Sequence, residues 1–471
     1  MRIVLFHYHL KPGGVTTVIR HQIAALKNSC EVIIMTGEKP QEKWPVPIVV
    51  IPDLSYKLNA FSPKKTNKIA GDIINYISKK WKNGCDVLHV HNPLLAKNKN
   101  LLKILNVLQH KGIKLFLQIH DFAEDGRVLS YFSEEYPAHC HYGVINSRDY
   151  HILLKSGLRP EGLHKISNII MPLKTLKKSS TKEKNLILYP VRGIRRKNLG
   201  EAILLSLFLK NNETIGITLP PSSEKNTLSK DVPFYLKWKE FVKANHLNFS
   251  FELGIKHDFR ELVTNAKMIL TTSITEGFGF TFLEPWTANK FLAGRRIPDI
   301  CVDFEEEGIS LDHLYTQLFI PLKLIDSKEF FKKWKNCIVK NCKIMDYPLT
   351  KQDIEKAAFN LMVNDCLDFR LFDETTQRKI ISLALKDKKS LFEIIDNNPW
   401  LENFTNTKNR TTLINRNKKI ILNHYTTKNY CEKLINIYKK AKSNPVKQAI
   451  NKTVLLRSFF NLNSFSLLKW N

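Results

Sequence analysis

The sequence predicts an α/β protein built on two parallel sheets, each covered by helices on both faces. Three observations carry this. Short, uniformly apolar runs alternate with stretches of helical spacing through residues 1–172. A polar and basic interval, Lys174 to Lys184, then breaks the pattern and suits an interdomain linker. The alternation restarts at Asn185-Leu186-Ile187-Leu188-Tyr189. Apolar strands separated by helices form parallel sheets buried on both faces.

Taken in order, Ile3-Val4-Leu5-Phe6 reads as a first buried strand, too soon polar to be a signal peptide. Gly13-Gly14 follows in a loop, and apolar residues at helical spacing run from Val15 to Leu26. Val32–Met35 and Ile48–Ile51 are the next strands. A helix near Asn67–Trp81 leads to Val87–Val90, and another near Asn98–Gln109 leads to Leu115–Ile119. Tyr142–Ile145 closes the first set. Beyond the linker, Thr214–Leu219, Phe249–Leu253 and Met268–Thr272 are strand candidates with helices between. The expected organisation is a first domain over 1–172, a second over 185–425, and a basic helix and tail over 426–471. Both domains are Rossmann-like.

Composition narrows the function. No apolar run reaches the roughly 18–20 residues of a membrane helix. The eight cysteines form no C-x-x-C pair, which predicts reduced thiols and a cytoplasmic location. The formal net charge of +29 invites a polyanion, or is a solvated surface of a Lys- and Asn-rich chain. From Phe404 to Asn471 there are 14 Lys/Arg against one acid, Glu432. No zinc-finger spacing or RNP-like aromatic motif is present, so nucleic acid is not the expected partner.

Four local features carry chemistry. Gly13-Gly14 opens a helix directly after the first strand, where glycines admit a ligand to the backbone or simply make a tight turn. His120, in Gln118-Ile119-His120-Asp121, sits at a strand's carboxyl end, where ligands of open parallel sheets bind; a structural histidine is the competing reading. Arg192 and Lys197, in Arg192-Gly193-Ile194-Arg195-Arg196-Lys197, lie on the first strand-to-helix loop of the second domain. There they offer a forked guanidinium and a mobile ammonium to phosphate, unless the loop is merely solvated. Thr275-Glu276-Gly277-Phe278-Gly279-Phe280-Thr281-Phe282-Leu283-Glu284 follows a strand and places two carboxylates eight residues apart around a glycine turn suited to anions.

The span E-G-F-G-x-x-x-L-E is similar to the E-x7-E motif of retaining GT-B glycosyltransferases, the glycosyl transferases group 1, or family 4-like, group. Gly13-Gly14, His120 and the Arg192/Lys197 pair resemble further family features in the same order. The resemblance implies two Rossmann-like domains facing across a cleft, an N-terminal acceptor domain and a C-terminal donor domain. It implies that Arg192 and Lys197 bind the donor pyrophosphate and Glu284 the ribose. Glu276 and the backbone of Gly277, Phe278, Gly279 and Phe280 would hold the transferred sugar and distal phosphate. His120 would contact the sugar, and Gly13 and Gly14 would approach the leaving phosphate or the acceptor. It also implies a closing helix that returns to the first domain, for which Tyr430–Ala441 is the candidate. After Glu284 the sequence departs from the family. Asn289 replaces a glycine, Phe291 replaces a proline, and Gly294–Ile300 stands where G-G-x-x-E is usual.

The expected activity is retaining transfer from a nucleotide sugar to a glycan, lipid or small-molecule hydroxyl, with cell-envelope glycan or glycolipid synthesis as the expected setting, without cofactor or metal. No D-x-D motif occurs. A phosphorylase or epimerase on the same scaffold, a degenerate binding subunit, and a polyanion-binding protein without catalysis are the alternatives. The segment 441–471 mixes Lys442, Lys447, Lys452, Arg457 and Lys469 with aromatic and aliphatic residues. It reads either as a peripheral contact with an anionic membrane or as apolar packing on the first domain.

Overall fold

Apolar β-branched runs build the centre of each sheet. The computed structural model describes residues 1–56, 63–173, 175–176, 185–210, 212–221, 223–224, 227–228, 231–460, 462 and 465–470. Residues 174 and 177–184 of the expected linker lie outside these. The chain divides into two compact units, Met1–Ile169 with His424–Phe460, and Ile170–Asn423 with Asn461–Asn471.

In the first unit β1 (Arg2–Phe6), α1 (Gly14–Leu26), β2 (Glu31–Thr36), β3 (Ile48–Val50), α2 (Pro63–Lys80), β4 (Val87–His91), α3 (Leu101–His110), β5 (Leu115–Gln118), β6 (His141–Val144), α4 (Ser147–Lys155) and β7 (Leu163–Lys165) follow one another. The sheet order is β3-β2-β1-β4-β5-β6-β7, and every pairing is parallel. Strand order reverses between β1 and β4. Ile3 and Leu5 face one core cluster and Val4 and Phe6 the other, so both sheet faces are covered.

The second unit contains β8 (Leu186–Arg192), α5 (Leu199–Leu205), β9 (Thr214–Leu219), the short β10 (Ser223–Glu224) and β11 (Thr227–Leu228), α6 (Val232–Ala244), β12 (Phe249–Ser250), α7 (Leu253–Lys256), α8 (Phe259–Asn265), β13 (Met268–Thr271), α9 (Glu284–Thr287), β14 (Leu292–Gly294) and α10 (Pro298–Glu306). After these come β15 (Phe319–Pro321), α11 (Ser327–Ile344), α12 (Lys351–Leu361), β16 (Cys366–Asp368), α13 (Glu374–Lys386), α14 (Lys388–Asp396) and α15 (Thr411–His424). Its parallel sheet has the order β12-β9-β8-β13-β14, reversing between β8 and β13.

The departures after Glu284 have local explanations. Asn289 stands at φ 57, the left-handed region that Asn tolerates where glycine is usual. Phe291 is buried, with Trp286 and His313 against its ring, and β14 begins at the next residue. Arg295 is 1% exposed and forks onto both Glu201 and Asp368.

The chain returns to the first unit through α16 (Thr427–Ser443) and α17 (Lys452–Phe459). In that unit α16 packs on α1, with Gln22 Nε2 2.9 Å from the Tyr430 hydroxyl and His89 Nδ1 2.8 Å from that of Tyr438. Leu455 and Phe459 join the first unit's core, whereas Phe465 and Leu467 are buried within the second unit. Of the apolar side chains offered above to a membrane, Leu455, Leu456, Phe459, Phe460, Phe465 and Leu467 are thus packed inside protein, and Val454, Leu468 and Trp470 are half-buried. Their packing also differs from the expectation of a single home on the first domain, because residues 465–470 belong to the second unit. Among the described residues no helix is long and apolar enough to cross a membrane.

Candidate functional site

Ligands of open parallel sheets collect outside the carboxyl ends of strands where strand order reverses. In the second unit that point lies between β8 and β13. The loop after β8 makes one tight turn, Arg195–Lys197, and ends at Asn198 with φ 47. The Tyr189 and Thr272 hydroxyls each donate to the Lys197 carbonyl at 2.9 Å, and the Ile274 amide donates to the Arg196 carbonyl at 3.0 Å. These bonds fasten the two loops together and bring Lys197 to Glu276.

The Lys197 ammonium donates to one Glu276 oxygen, and Arg196 Nη1 lies 3.4 Å from the other. Lys197 and Glu276 are 9% and 8% exposed, so the pair is formed in a low-dielectric setting. Burial alone would raise the Glu276 carboxyl, but the Lys197 and Arg196 charges outweigh it and hold it below the usual range. Burial draws Lys197 downward, and its Glu276 partner opposes that.

Glu284, at the first position of α9, shares a cavity of about 190 Å³ with Arg196, Lys197, Glu276, Phe280 and Thr281. Its carboxylate has no hydrogen-bond partner among the described residues, and burial pushes it up to about 7. Two carboxylates of one pocket are therefore shifted in opposite directions, Glu276 down by its cations and Glu284 up by burial. The shift has a stability consequence. A carboxyl raised in the folded state stabilises the fold most at low pH, and that contribution is lost as pH rises from the ordinary carboxylate range to about 7. In Glu284→Gln this part of the slope disappears. Urea midpoints at pH 5 and pH 8 for the two chains measure it, and parallel pH dependences would count against the raised carboxyl.

The other expected residues fall in different places. Arg192 is the last residue of β8, and the guanidinium seen on Glu276 is that of Arg196. Gly279 has φ 91, and a Cβ there would lie 2.9 Å from the Phe282 ring, so the turn after Glu276 requires glycine. The Phe278 side chain is buried against Phe280 and Phe304 and packs the turn from below, leaving only its backbone for a ligand. Two residues escaped the sequence reading. Arg196 was hidden in a run of three cations, with only spacing to choose among them. Thr281 has a buried hydroxyl without a partner among the described residues and lines the cavity. A hydroxyl inside a glutamate-flanked glycine turn was the available signal for it.

In the first unit the reversal lies between β1 and β4. His120, just past β5, is buried, with Nε2 2.9 Å from His91 Nδ1, and its amide donates to Asn92 Oδ1 at 2.7 Å. It belongs to a buried histidine array that includes His7, His89 and His91. Burial lowers His120 to about 4, against the pull of Asp121, so at neutral pH it is an uncharged hydrogen-bonding group. Gly13 caps α1 with φ 170, extended backbone open to any residue, and a Cβ on Gly14 would meet nothing within 4 Å. Neither glycine is demanded by the turn itself.

No protein-family model matches the chain. A mannosylglucosyl-3-phosphoglycerate synthase of Petrotoga mobilis is 25% identical over 523 residues, covering 99% of this chain and 99% of its own. A sucrose-phosphate synthase from Thermosynechococcus elongatus matches in structure with a TM-score of 0.53 at 12% identity, over 93% of this chain and 98% of its own. Anabaena HepE in complex with UDP and glucose gives a TM-score of 0.53 at 12% identity, with 93% and 98% covered. The fold is that of the GT-B glycosyltransferases. Along its whole length the chain is also related to a glycosyltransferase. On this GT-B scaffold the cavity at Lys197, Glu276 and Glu284 occupies the reversal point of the second sheet.

Proposed function

We propose that the chain transfers a sugar from a nucleotide-sugar donor to an acceptor hydroxyl, with the donor diphosphate held by Lys197 and Arg196. The observation that carries this is the buried cluster of Lys197, Arg196 and Glu276, which shares its cavity with the raised carboxyl of Glu284. Charge that builds on a leaving diphosphate meets two fixed cations, which stabilises the transition state without a metal. Glu276 keeps those cations in place, and a bound diphosphate would take over part of their pairing. As a carboxylate, Glu284 accepts hydrogen bonds from vicinal ribose hydroxyls. Arg192, at the end of β8, borders the same ligand in this reading. The acceptor attacks on the leaving-group face with retention, its proton passing to the leaving phosphate oxygen.

HepE, solved in complex with UDP and glucose, supports a nucleoside diphosphate as part of the ligand. The relative's name places a mannosylglucosyl unit on 3-phosphoglycerate. With the net charge of +29, this favours an anionic, phosphorylated small-molecule acceptor over a lipid-linked or envelope glycan. A reducing, cytoplasmic setting belongs to the same reading, and all eight cysteines are free thiols. The test incubates the full chain with UDP-, GDP- and ADP-sugars and glucosyl-3-phosphoglycerate, and follows nucleotide release and the anomeric proton of the product. Acceptor-dependent release with retained configuration is expected. Turnover that requires inorganic phosphate instead would make it a phosphorylase, and no turnover with any donor would remove the proposal.

A further inference from the structure

Three consecutive cations, Arg195-Arg196-Lys197, form the turn of the donor loop, yet only Arg196 and Lys197 are seen on Glu276. Arg195 is committed elsewhere within the same unit. Its Nε donates to Glu374 Oε1 at 2.6 Å and its Nη2 lies 3.3 Å from Oε2. Nη1 donates to the Trp470 carbonyl at 2.7 Å and Nη2 to the Leu467 carbonyl at 3.0 Å. The guanidinium also lies 4.6 Å above the Phe234 ring. One turn along α13 from Glu374, Gln377 Nε2 donates to Asn198 Oδ1 at 3.0 Å, so the loop is gripped at Arg195 and again at its end.

The segment that supplies the two carbonyls is itself firmly seated. The Trp470 indole donates to the Leu371 carbonyl at 2.7 Å and its ring lies 5.1 Å from Phe465. The Lys469 carbonyl accepts from Asn341 Nδ2 at 2.8 Å. Phe465 and Leu467 are buried.

We propose that Phe465–Trp470 is a latch for the donor loop and that Arg195 is the positioning residue through which it acts. Like charges in one turn repel, and the bonds of Arg195 to Glu374 and the two carbonyls hold the turn against that repulsion. The latch thus fixes the backbone of the turn that presents Arg196 and Lys197 to the donor, and removing either Arg195 or its anchoring segment loosens that turn. This rests on the donor-site reading above.

The test measures donor and acceptor KM, kcat, and UDP, GDP and ADP affinity for the full chain and for Arg195→Ala, Arg195→Lys, Trp470→Ala and Lys197→Ala. Urea midpoints confirm that each variant is folded. Arg195→Ala and Trp470→Ala are expected to raise donor KM and the diphosphate Kd about tenfold, the scale of one charged hydrogen bond, with acceptor KM unchanged. Arg195→Lys, which keeps the charge but loses the fork, should recover part of this. Unchanged donor KM in folded Arg195→Ala and Trp470→Ala, while Lys197→Ala loses diphosphate binding, overturns the latch and leaves the donor site standing. If Lys197→Ala also binds diphosphate normally, the donor-site reading fails and the latch with it. Equal losses in donor and acceptor KM would show general loosening of the fold and overturn the positioning role.

Discussion

Lys197→Ala lowers kcat/KM for the nucleotide sugar by about 10- to 150-fold, the kinetic equivalent of losing one charge-assisted hydrogen bond worth about 1.5–3 kcal/mol. The effect is expected at this residue because Lys197 is 9% exposed and its carbonyl is fixed by Tyr189 and Thr272, which holds its ammonium at Glu276. Truncation also leaves Glu276 buried with the Ser273 hydroxyl and with Arg196, a weaker charged contact at 3.4 Å. Lys197→Arg should retain more activity than Lys197→Ala, although the fork does not match a point-charge site. Steady-state rates with donor varied at saturating acceptor measure this. Activity within twofold of wild type in Lys197→Ala would detach the residue from the reaction.

Arg295→Met destabilises the chain by about 3–5 kcal/mol, a large part of the 5–15 kcal/mol that holds an ordinary domain together. Arg295 is 1% exposed and bonds Glu201 at 2.8 and 2.6 Å and Asp368 at 2.9 and 2.8 Å. Tyr315 adds a hydroxyl to Glu201 at 2.6 Å and stacks on Trp400 at 3.9 Å. Without the guanidinium two buried carboxylates lose the cation they share, leaving Glu201 with neutral donors and Asp368 with Arg370 at 3.1 Å. Their carboxyls are then raised in the folded state, so the variant's defect is smallest below the ordinary carboxylate range and grows as pH rises. Urea unfolding at pH 5 and pH 8 gives both numbers. A loss under about 1 kcal/mol at pH 8 would show that the network contributes little. Glu201 also bonds Asn198 at 2.8 Å, so the same network braces the end of the donor loop.

The strands were legible because each is a short apolar run closed by polar residues, and β1, β4, β5, β8 and β13 fall on those runs. The strand expected over Phe249–Leu253 is only Phe249–Ser250, and α7 begins at Leu253. Apolar residues alone did not separate a strand end from a helix start. β7 and β14 are three residues long, too short for a period to show. The glutamate-flanked glycine turn was legible because it concentrates carboxylates and glycines in nine residues. The choice among Arg192, Arg195, Arg196 and Lys197 was not, because their directions are set by Glu374, Glu276 and the segment 465–470, all remote in sequence. The histidine array was equally hidden, since His7, His91 and His120 meet only when β1, β4 and β5 are laid side by side.

Amide hydrogen exchange of the full chain, with and without a saturating nucleoside diphosphate from a UDP, GDP and ADP panel, tests the donor site most directly. Protection is predicted at Gly193–Asn198 and at Glu276–Glu284 together, and its loss in Lys197→Ala. Binding that leaves both segments unprotected, or no binding by any of the three, would contradict the assignment of this pocket to the donor.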